Sequence, residues 1–408
     1  MILKKIAAVE EAAPVAVIVR EYCETRDKAA VVELERRCEI GQPGKPSLVT
    51  DLKGDPIARV RNFVSHTMLV AEYGQGREIV GVIRGCIKTV TNGKLISSTQ
   101  LPVHVNLAYI LGLRVSSTHR RLGIATKLVE ELENWCKKNG AEYAYMATEC
   151  SNHPSLNLFT KKCNYVKFRN PMVLVQPVHR HAKPLPSDIA IVRVPTSQAE
   201  HLYRRAFSFS EFFPKDINQL LTNKLNLGTF MALPKKFLSE WNPNSENFDF
   251  PHSFAILSVW NAKEVYRLRV KGVSRLTHAV CFGTRVVDAM IPWLKIPSVP
   301  NVFRDFGFHF MHGLHMEGDD GPRMMTTLCK FVYNMARKDG DSRVVVAEVG
   351  QADPVRRSIP HWKKFSWDED VWCIKKLGDE GNAASREDWC KSTTASPSSV
   401  IFVDPRDL

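Results

Sequence analysis

Read as apolar and polar positions, the first 175 residues fall into a regular series of elements. The run "VAVIVREY" (15–22) predicts a strand, and "TRDKAAVVELERRCEI" (25–40) repeats apolar residues at helical spacing, a helix with Thr25 as N-cap. After the turn-rich "GQPGKPS", the stretch "LVTDLKGDPIARVRNF" reads as one or two short helices. "HTMLVAEY" (66–73) and "EIVGVIRGCIKTV" (78–90) are nearly unbroken apolar runs on either side of "GQGR", a hairpin of two central strands. A loop over 91–102 leads to the strand "VHVNLAYILGLRVS" (103–116). A helix over 120–139, closed by Gly140, then precedes a strand over 141–149, a shorter helix over 153–162 and the strand "YVKFRNPMVLV" (165–175).

Three prolines and two histidines in "QPVHRHAKPLPSD" (176–188) break this pattern and read as a linker. Beyond it, 199–225 looks helical in two pieces split at Pro214, and 234–252 looks like a loop. Strands are expected at 252–261, 266–273 and 343–349, with a helix over 326–340 closed by Gly340. Gly123, Gly140, Glu149, Asn152 and Tyr165 have an approximate echo in Gly321, Gly340, Glu348, Asp353 and Trp367, so the second half reads as a diverged copy of the first. The division expected is 1–178, a linker at 179–188, and 189–408.

Composition fits this layout. At 408 residues, 44% apolar and 24% charged, the chain has material for two or three globular domains and no disordered block. No apolar run approaches the roughly 20 residues that span a bilayer, and Glu10, Glu11 and Pro14 interrupt the apolar start, so neither membrane insertion nor secretion is expected. Ten cysteines stand singly, without metal-ligand spacing, as reduced thiols of a cytoplasmic or nuclear protein would. The net charge of +13 is spread without a basic tract, which argues against direct nucleic-acid binding and for a mildly basic surface with some phosphate ligands.

One stretch carries chemistry. In "LGLRVSSTHRRLGIATKLVEEL" (111–132) an apolar strand enters a basic turn, a glycine, and then an amphipathic helix. A helix start exposes amides without intrahelical partners at the positive end of its dipole, and phosphate is their natural ligand. Arg120 and Arg121 add cationic donors, and Gly123 lets backbone approach the ligand closely. His119 reads either as a further phosphate contact or as a solvated turn residue. In the second half, "GDDGPRMMTTL" (318–328) holds the same place, but Asp319 and Asp320 repel anions and Pro322 removes a donor.

The turn "RRLGIA", its flanking strand and helix, the next strand and "NHPSLNLF" resemble the acetyl-CoA core of the GNAT N-acetyltransferases over about residues 15–175. "LAYILGLRVSSTHRRLGI", "IRGCIKTVT", "NLGTFMALP", "SIPHWKKFSWDEDVWCIKKLGD" and "IFVDPRD" resemble the plant Hookless-type probable N-acetyltransferases along almost the whole chain. The resemblance implies an α/β (α+β) fold, a mixed central sheet flanked by helices, followed by a second, degenerate domain of the same kind. It implies acetyl transfer from acetyl-CoA, without a metal, to an amine: a protein lysine or N-terminus, histones among the candidates, or a small molecule.

Carried over position by position, the resemblance implies that the amides of Arg121, Leu122, Gly123, Ile124 and Ala125, flanked by Arg120 and the Thr126 hydroxyl, wrap the CoA pyrophosphate. Leu113 N–H would polarise the thioester carbonyl, and Val115, with Arg114 between them, would pair the pantetheine arm like an added strand. Asn152 would act as helix cap or CoA ligand, and Asn157 would touch pantetheine. Phe159 holds the place of the tyrosine that would protonate the leaving thiolate, so no general acid is assigned, and Asn164 stands for a glycine with one residue inserted. Glu149, at a strand end, is a candidate base or a solvated carboxylate; Tyr109, where histone-acetylating relatives carry glutamate, is a candidate base or a core aromatic. A covalent route through Cys150 or Cys163 is not expected, since neither has a histidine partner nearby in sequence. The reading from another class is a regulatory or interaction protein that keeps the fold and CoA binding without catalysis.

Overall fold

The computed structural model describes residues 17–38, 46–96, 99, 101–239, 241, 251–366, 370–378, 388–391 and 400–408. The first half runs β1 (Val17–Glu21), α1 (Glu24–Arg37), β2 (Ser47–Asp51), β3 (Ser65–Tyr73), β4 (Glu78–Leu95), β5 (Pro102–Val115), α2 (Ile124–Lys138), β6 (Tyr143–Glu149), α3 (His153–Asn157), β7 (Val166–Arg169) and β8 (Met172–Pro177). The second runs β9 (Ile189–Val194), α4 (Thr196–Phe207), β10 (Glu211–Pro214), α5 (Ile217–Thr222), β11 (Asn226–Pro234), β12 (Phe254–Asn261), β13 (Arg267–Lys271), α6 (Arg275–Met290), β14 (Gly307–Glu317), α7 (Gly321–Asp339), β15 (Ser342–Val349) and β16 (Asp370–Lys376).

Two mixed sheets result, in orders β1-β3-β4-β5-β6-β16-β7 and β8-β15-β14-β12-β11-β9, each with one parallel pair, β5·β6 and β14·β15. The same device, strand, helix, parallel strand, therefore occurs once in each lobe. Helix α2 buries Ile124, Leu128, Val129, Leu132 and Cys136, a stripe at helical spacing, against the outer face of the first sheet. Helix α7 does the same for the second sheet with Met325, Leu328, Val332 and Ala336. The largest core lies between the sheets, where Tyr109, Tyr145 and Trp372 from one meet Phe308, Phe310 and Val346 from the other.

The lobes exchange strands. The run expected as one strand over 165–175 breaks after Arg169: β7 stays in the first sheet, and β8 pairs with β15 in the second. In return β16, from the far end of the chain, lies between β6 and β7, so the boundary at 178 does not coincide with sheet membership. The expected linker is also pinned down: His179 N–H donates to the Tyr333 hydroxyl at 2.7 Å, and the Asn334 side chain bonds both backbone groups of Lys183.

Several local readings differ. The first helix starts after Cys23, not Thr25, because the Asp27 carboxylate accepts the Cys23 N–H at 2.8 Å and is clamped by Arg20. The stretch after Pro46 begins with a strand, since Leu48 and Val49 pair with β13, a partner far away in sequence. Between the two helices of 196–222, Pro214 ends a strand that joins β4. Helix α6 has no counterpart in the sequence reading; it buries only Asp288, and Leu276, Val280, Val287 and Met290, at helical spacing, lie exposed.

Candidate active site

The site is built where β5 leaves β6. Their parallel pairing runs from Leu107↔Tyr143 to Ile110↔Met146 and stops, while β5 continues to Val115 and β6 to Glu149. The cause is a bulge in β5. Its register with β4 slips between Val82↔Arg114 and Arg84↔Leu111, and Gly112 takes φ +63°, a conformation open to glycine. Arg84, 2% exposed, holds this point: its guanidinium donates to Pro56 O at 2.5 Å, pairs with Glu35 at 2.5 Å and reaches Gly112 O at 3.4 Å. Leu113, Arg114 and Val115 lie beyond the split.

The turn after β5 follows. Ser116 N–H closes onto Val80 O at 2.8 Å, a short 3₁₀ turn spans Ser117–His119, and the His119 ring packs edge-on against Tyr73 at 4.9 Å. The chain then reverses twice, with Arg121 at φ +66° and Gly123 at φ +78° on either side of an exposed Leu122. Helix α2 starts at Ile124, with Gly123 as N-cap and no side-chain cap. The first intrahelical bond goes to Lys127 N–H, so the amides of Ile124, Ala125 and Thr126 have no partner within the helix. Arg120 and Arg121 are exposed beside them, and the space where a Cβ of Gly123 would stand is open for 4 Å. Unpaired amides, the dipole and two guanidinium groups converge on one open spot.

At the end of β6, Glu149 is exposed and accepts from the Ser151 hydroxyl at 3.2 Å. Asn152 caps α3, accepting Ser155 N–H at 3.3 Å and donating to Thr148 at 3.0 Å. Asn157 is exposed, whereas Phe159 is buried in the α2 core with Tyr165 edge-on at 5.1 Å. Asn164 takes φ +60°, the left-handed conformation that asparagine tolerates. Tyr109 is buried and stacked on Tyr145 at 4.6 Å; burial pushes its phenol far above the ordinary value, so near neutrality it keeps its proton. Burial likewise pushes the Cys163 thiol up to about 11.

The second lobe repeats the frame without the cradle. Gly313 bulges β14 at φ +59°, and the β14·β15 pairing ends at Met311↔Ala347. At the helix start Asp319 and Asp320 are exposed, Pro322 occupies the first turn, and Gly321 is buried against Met316. A Cβ on Gly318 would fall 2.2 Å from His252 O and Ser253 Oγ, so the chain itself fills this spot.

Sequence reasoning missed what β16 and the last residues bring. Asp370 faces Glu149 across the β6·β16 ladder, and Trp372 packs on Tyr145 at 5.4 Å. Tyr145 donates to Asp407 at 2.6 Å, and Lys88 is paired with the same carboxylate. The one available signal was the echo of Glu149 in Glu348.

Residues 30–165, which hold the strand split by a bulge and the uncapped helix start, match the acetyltransferase (GNAT) family. The chain belongs to this family and is an N-acetyltransferase. It is 49% identical to "Probable N-acetyltransferase HLS1-like" of Arabidopsis thaliana, over 97% of this chain and 100% of that one. It is 39% identical to "Acetyl transferase GW6a" of Oryza sativa subsp. japonica, over 97% and 98%. Among solved structures, yeast N-myristoyltransferase with bound myristoyl-CoA has the same fold at TM-score 0.52 and 10% identity, covering 90% of this chain and 81% of that one. A glucosamine N-acetyltransferase region of a fungal multi-domain enzyme gives TM-score 0.53 at 13% identity, over 89% and 38%. Among the described residues no helix is long and apolar enough to cross a membrane.

Proposed function

We propose that the protein transfers acetyl from acetyl-CoA to a primary amine at the β5/β6 split. The observation that carries the reading is the Arg121–Gly123 turn, with its bare amides and the open space at Gly123. The amides of residues 121–125 hold the pyrophosphate, with Arg120, Arg121 and the Thr126 hydroxyl around it. The β5 backbone at Leu113–Val115, released from β6, pairs the pantetheine arm, and Leu113 N–H polarises the thioester carbonyl, a contact worth about 3 kcal/mol in the transition state. Asn157, exposed, touches pantetheine in this reading; Asn152 acts through the α3 cap. Phe159 offers no hydroxyl, so the thiolate takes its proton from elsewhere. The second lobe, without a phosphate cradle, serves as a folded wall of the acceptor site. Ten free cysteines fit a reducing compartment, nucleus or cytoplasm.

Calorimetry with acetyl-CoA, followed by thiol release with a panel of amines, tests the reading. Tight 1:1 binding and amine-dependent release are expected, and absence of binding by a folded protein would refute it.

A further inference from the structure

Two carboxylates between the sheets face each other's kind. Glu348 follows Val344 and Val346 along the face of β15 that meets the first sheet. The charges acting on it most are those of Asp370 and Asp407, and Asp370 in turn feels Glu149. Burial and these like charges push Glu348 up to about 8 and Asp370 up to about 6, while Glu348 keeps a partial opening to solvent. Asp407 in this row is paired with Lys88, but among the described residues neither Glu348 nor Asp370 has an ion-pair partner.

Polar atoms without partners surround the same place. A small cavity beside Glu348 is lined by His312, Asp353, Phe207 and Phe402. His312 is 1% exposed, and neither of its ring nitrogens has a hydrogen-bond partner among the described residues. Burial holds His312 down to about 3, so it remains neutral and does not supply the missing charge. The Trp372 indole N–H, also buried, is directed at the Glu348 carboxyl and offsets part of the upward push on it. Among the described residues no three acidic, histidine or cysteine side chains are grouped to hold a metal ion. The cluster adjoins the acyl centre, since Tyr109, next to the last paired residue of β5, feels the Glu348 charge, and Asp370 stands opposite the end of β6.

We propose that Glu348, with Asp370 beside it, receives the primary ammonium group of the acyl acceptor in the space between the lobes and takes its proton. The assignment rests on the acetyl-CoA reading of the α2 turn. The ammonium gives one proton to the Glu348 carboxylate; the freed nitrogen lone pair forms the C–N bond to the thioester carbonyl carbon, the C–S bond breaks with its electron pair on sulfur, and a second proton from nitrogen ends on the thiolate. Glu348 then releases its proton by way of the row, at whose exposed end Glu149 meets solvent.

The groups facing Glu348 are Asp370 and Trp372 of β16, Tyr109 of β5, Tyr266, Asp407, and His312 and Asp353 across the cavity, with Arg59 acting on Tyr109 and Tyr266 from the same side. The full-length protein, Glu348→Gln, Glu348→Asp and Asp370→Asn are compared for acetyl-CoA affinity by calorimetry and for thiol release with putrescine and Nα-acetyl-lysine amide over about pH 6 to 9.5. The parent rate should rise with pH to a limb near 8. Glu348→Gln should bind acetyl-CoA as tightly, release thiol about 100-fold more slowly or worse, and lose the limb; Glu348→Asp should keep it; Asp370→Asn, with one like charge removed, should move it to lower pH. A Glu348→Gln rate within about threefold of the parent with the same limb would overturn the proposal and leave the cofactor site standing. If the parent binds no acetyl-CoA or releases no thiol, the function reading fails by itself. The subsite is then judged by carboxyl ¹³C titration without cofactor: a midpoint near 8, absent from Glu348→Gln and lowered by putrescine, supports it, and a midpoint indifferent to putrescine overturns it.

Discussion

Arg84 of β4 presses its guanidinium against Gly112 of β5 so closely that a Cβ there would stand 2.6 Å from Nη1. The contact fixes the bulge at which β5 parts from β6. Gly112→Ala combines this clash with a left-handed backbone and should cost about 2 kcal/mol or more in urea unfolding, with weaker acetyl-CoA binding in the protein that still folds.

Gly123 separates strain from ligand contact. At φ +78° in open space, Gly123→Ala should lose only about 1 kcal/mol of stability. Gly123→Glu adds a carboxylate against the pyrophosphate and should abolish acetyl-CoA binding with an unchanged circular dichroism spectrum. Equal affinities of the two variants in calorimetry would remove the turn from the site.

One cofactor per chain is expected. Replacing Asp319 and Asp320 by arginine restores charge to the second turn, yet His252 and Ser253 still fill the spot beside Gly318. Calorimetric stoichiometry should remain one in the doubly substituted protein; a value of two would show that charge alone had closed that site.

Glu348 also leaves a mark on stability. Its folded value of about 8 lies above the ordinary 4.5, so the proton it holds stabilises the fold below 4.5, and this contribution is lost as pH rises through 8. Glu348→Gln, neutral throughout, should therefore gain on the parent between about pH 5 and 9 by about 2 kcal/mol or more. Denaturant midpoints that shift in parallel at every pH would contradict a buried, proton-holding Glu348.

The turn that opens α2 was legible because its parts are contiguous: strand, Arg120, Arg121, Gly123 and helix follow one another in sequence, and the helix stripe Ile124, Leu128, Leu132 marks itself. The pairing of β2 with β13, the strand at Glu211–Pro214 and the place of β16 were not, because what makes each a strand is a partner hundreds of residues away or in the other lobe. Tyr109 illustrates the same limit. Its position on β5 was plain, but only the stack on Tyr145 shows it to be packed in the core. The acids Glu348 and Asp370 come together through the exchange of strands, for which no local pattern exists.

The position of β16 between β6 and β7 sets a timetable for biosynthesis. While the ribosome is still adding the second lobe, the first sheet has a gap where β6 and β7 must wait, and Tyr145 and Phe168 lie open on its inner face. Most domains fold as they emerge, N-terminal part first. Here the N-terminal lobe can close only after translation has passed Lys376, so the nascent chain should depend on chaperones for most of its synthesis, and premature stop codons in the second half should cost the cell both lobes at once.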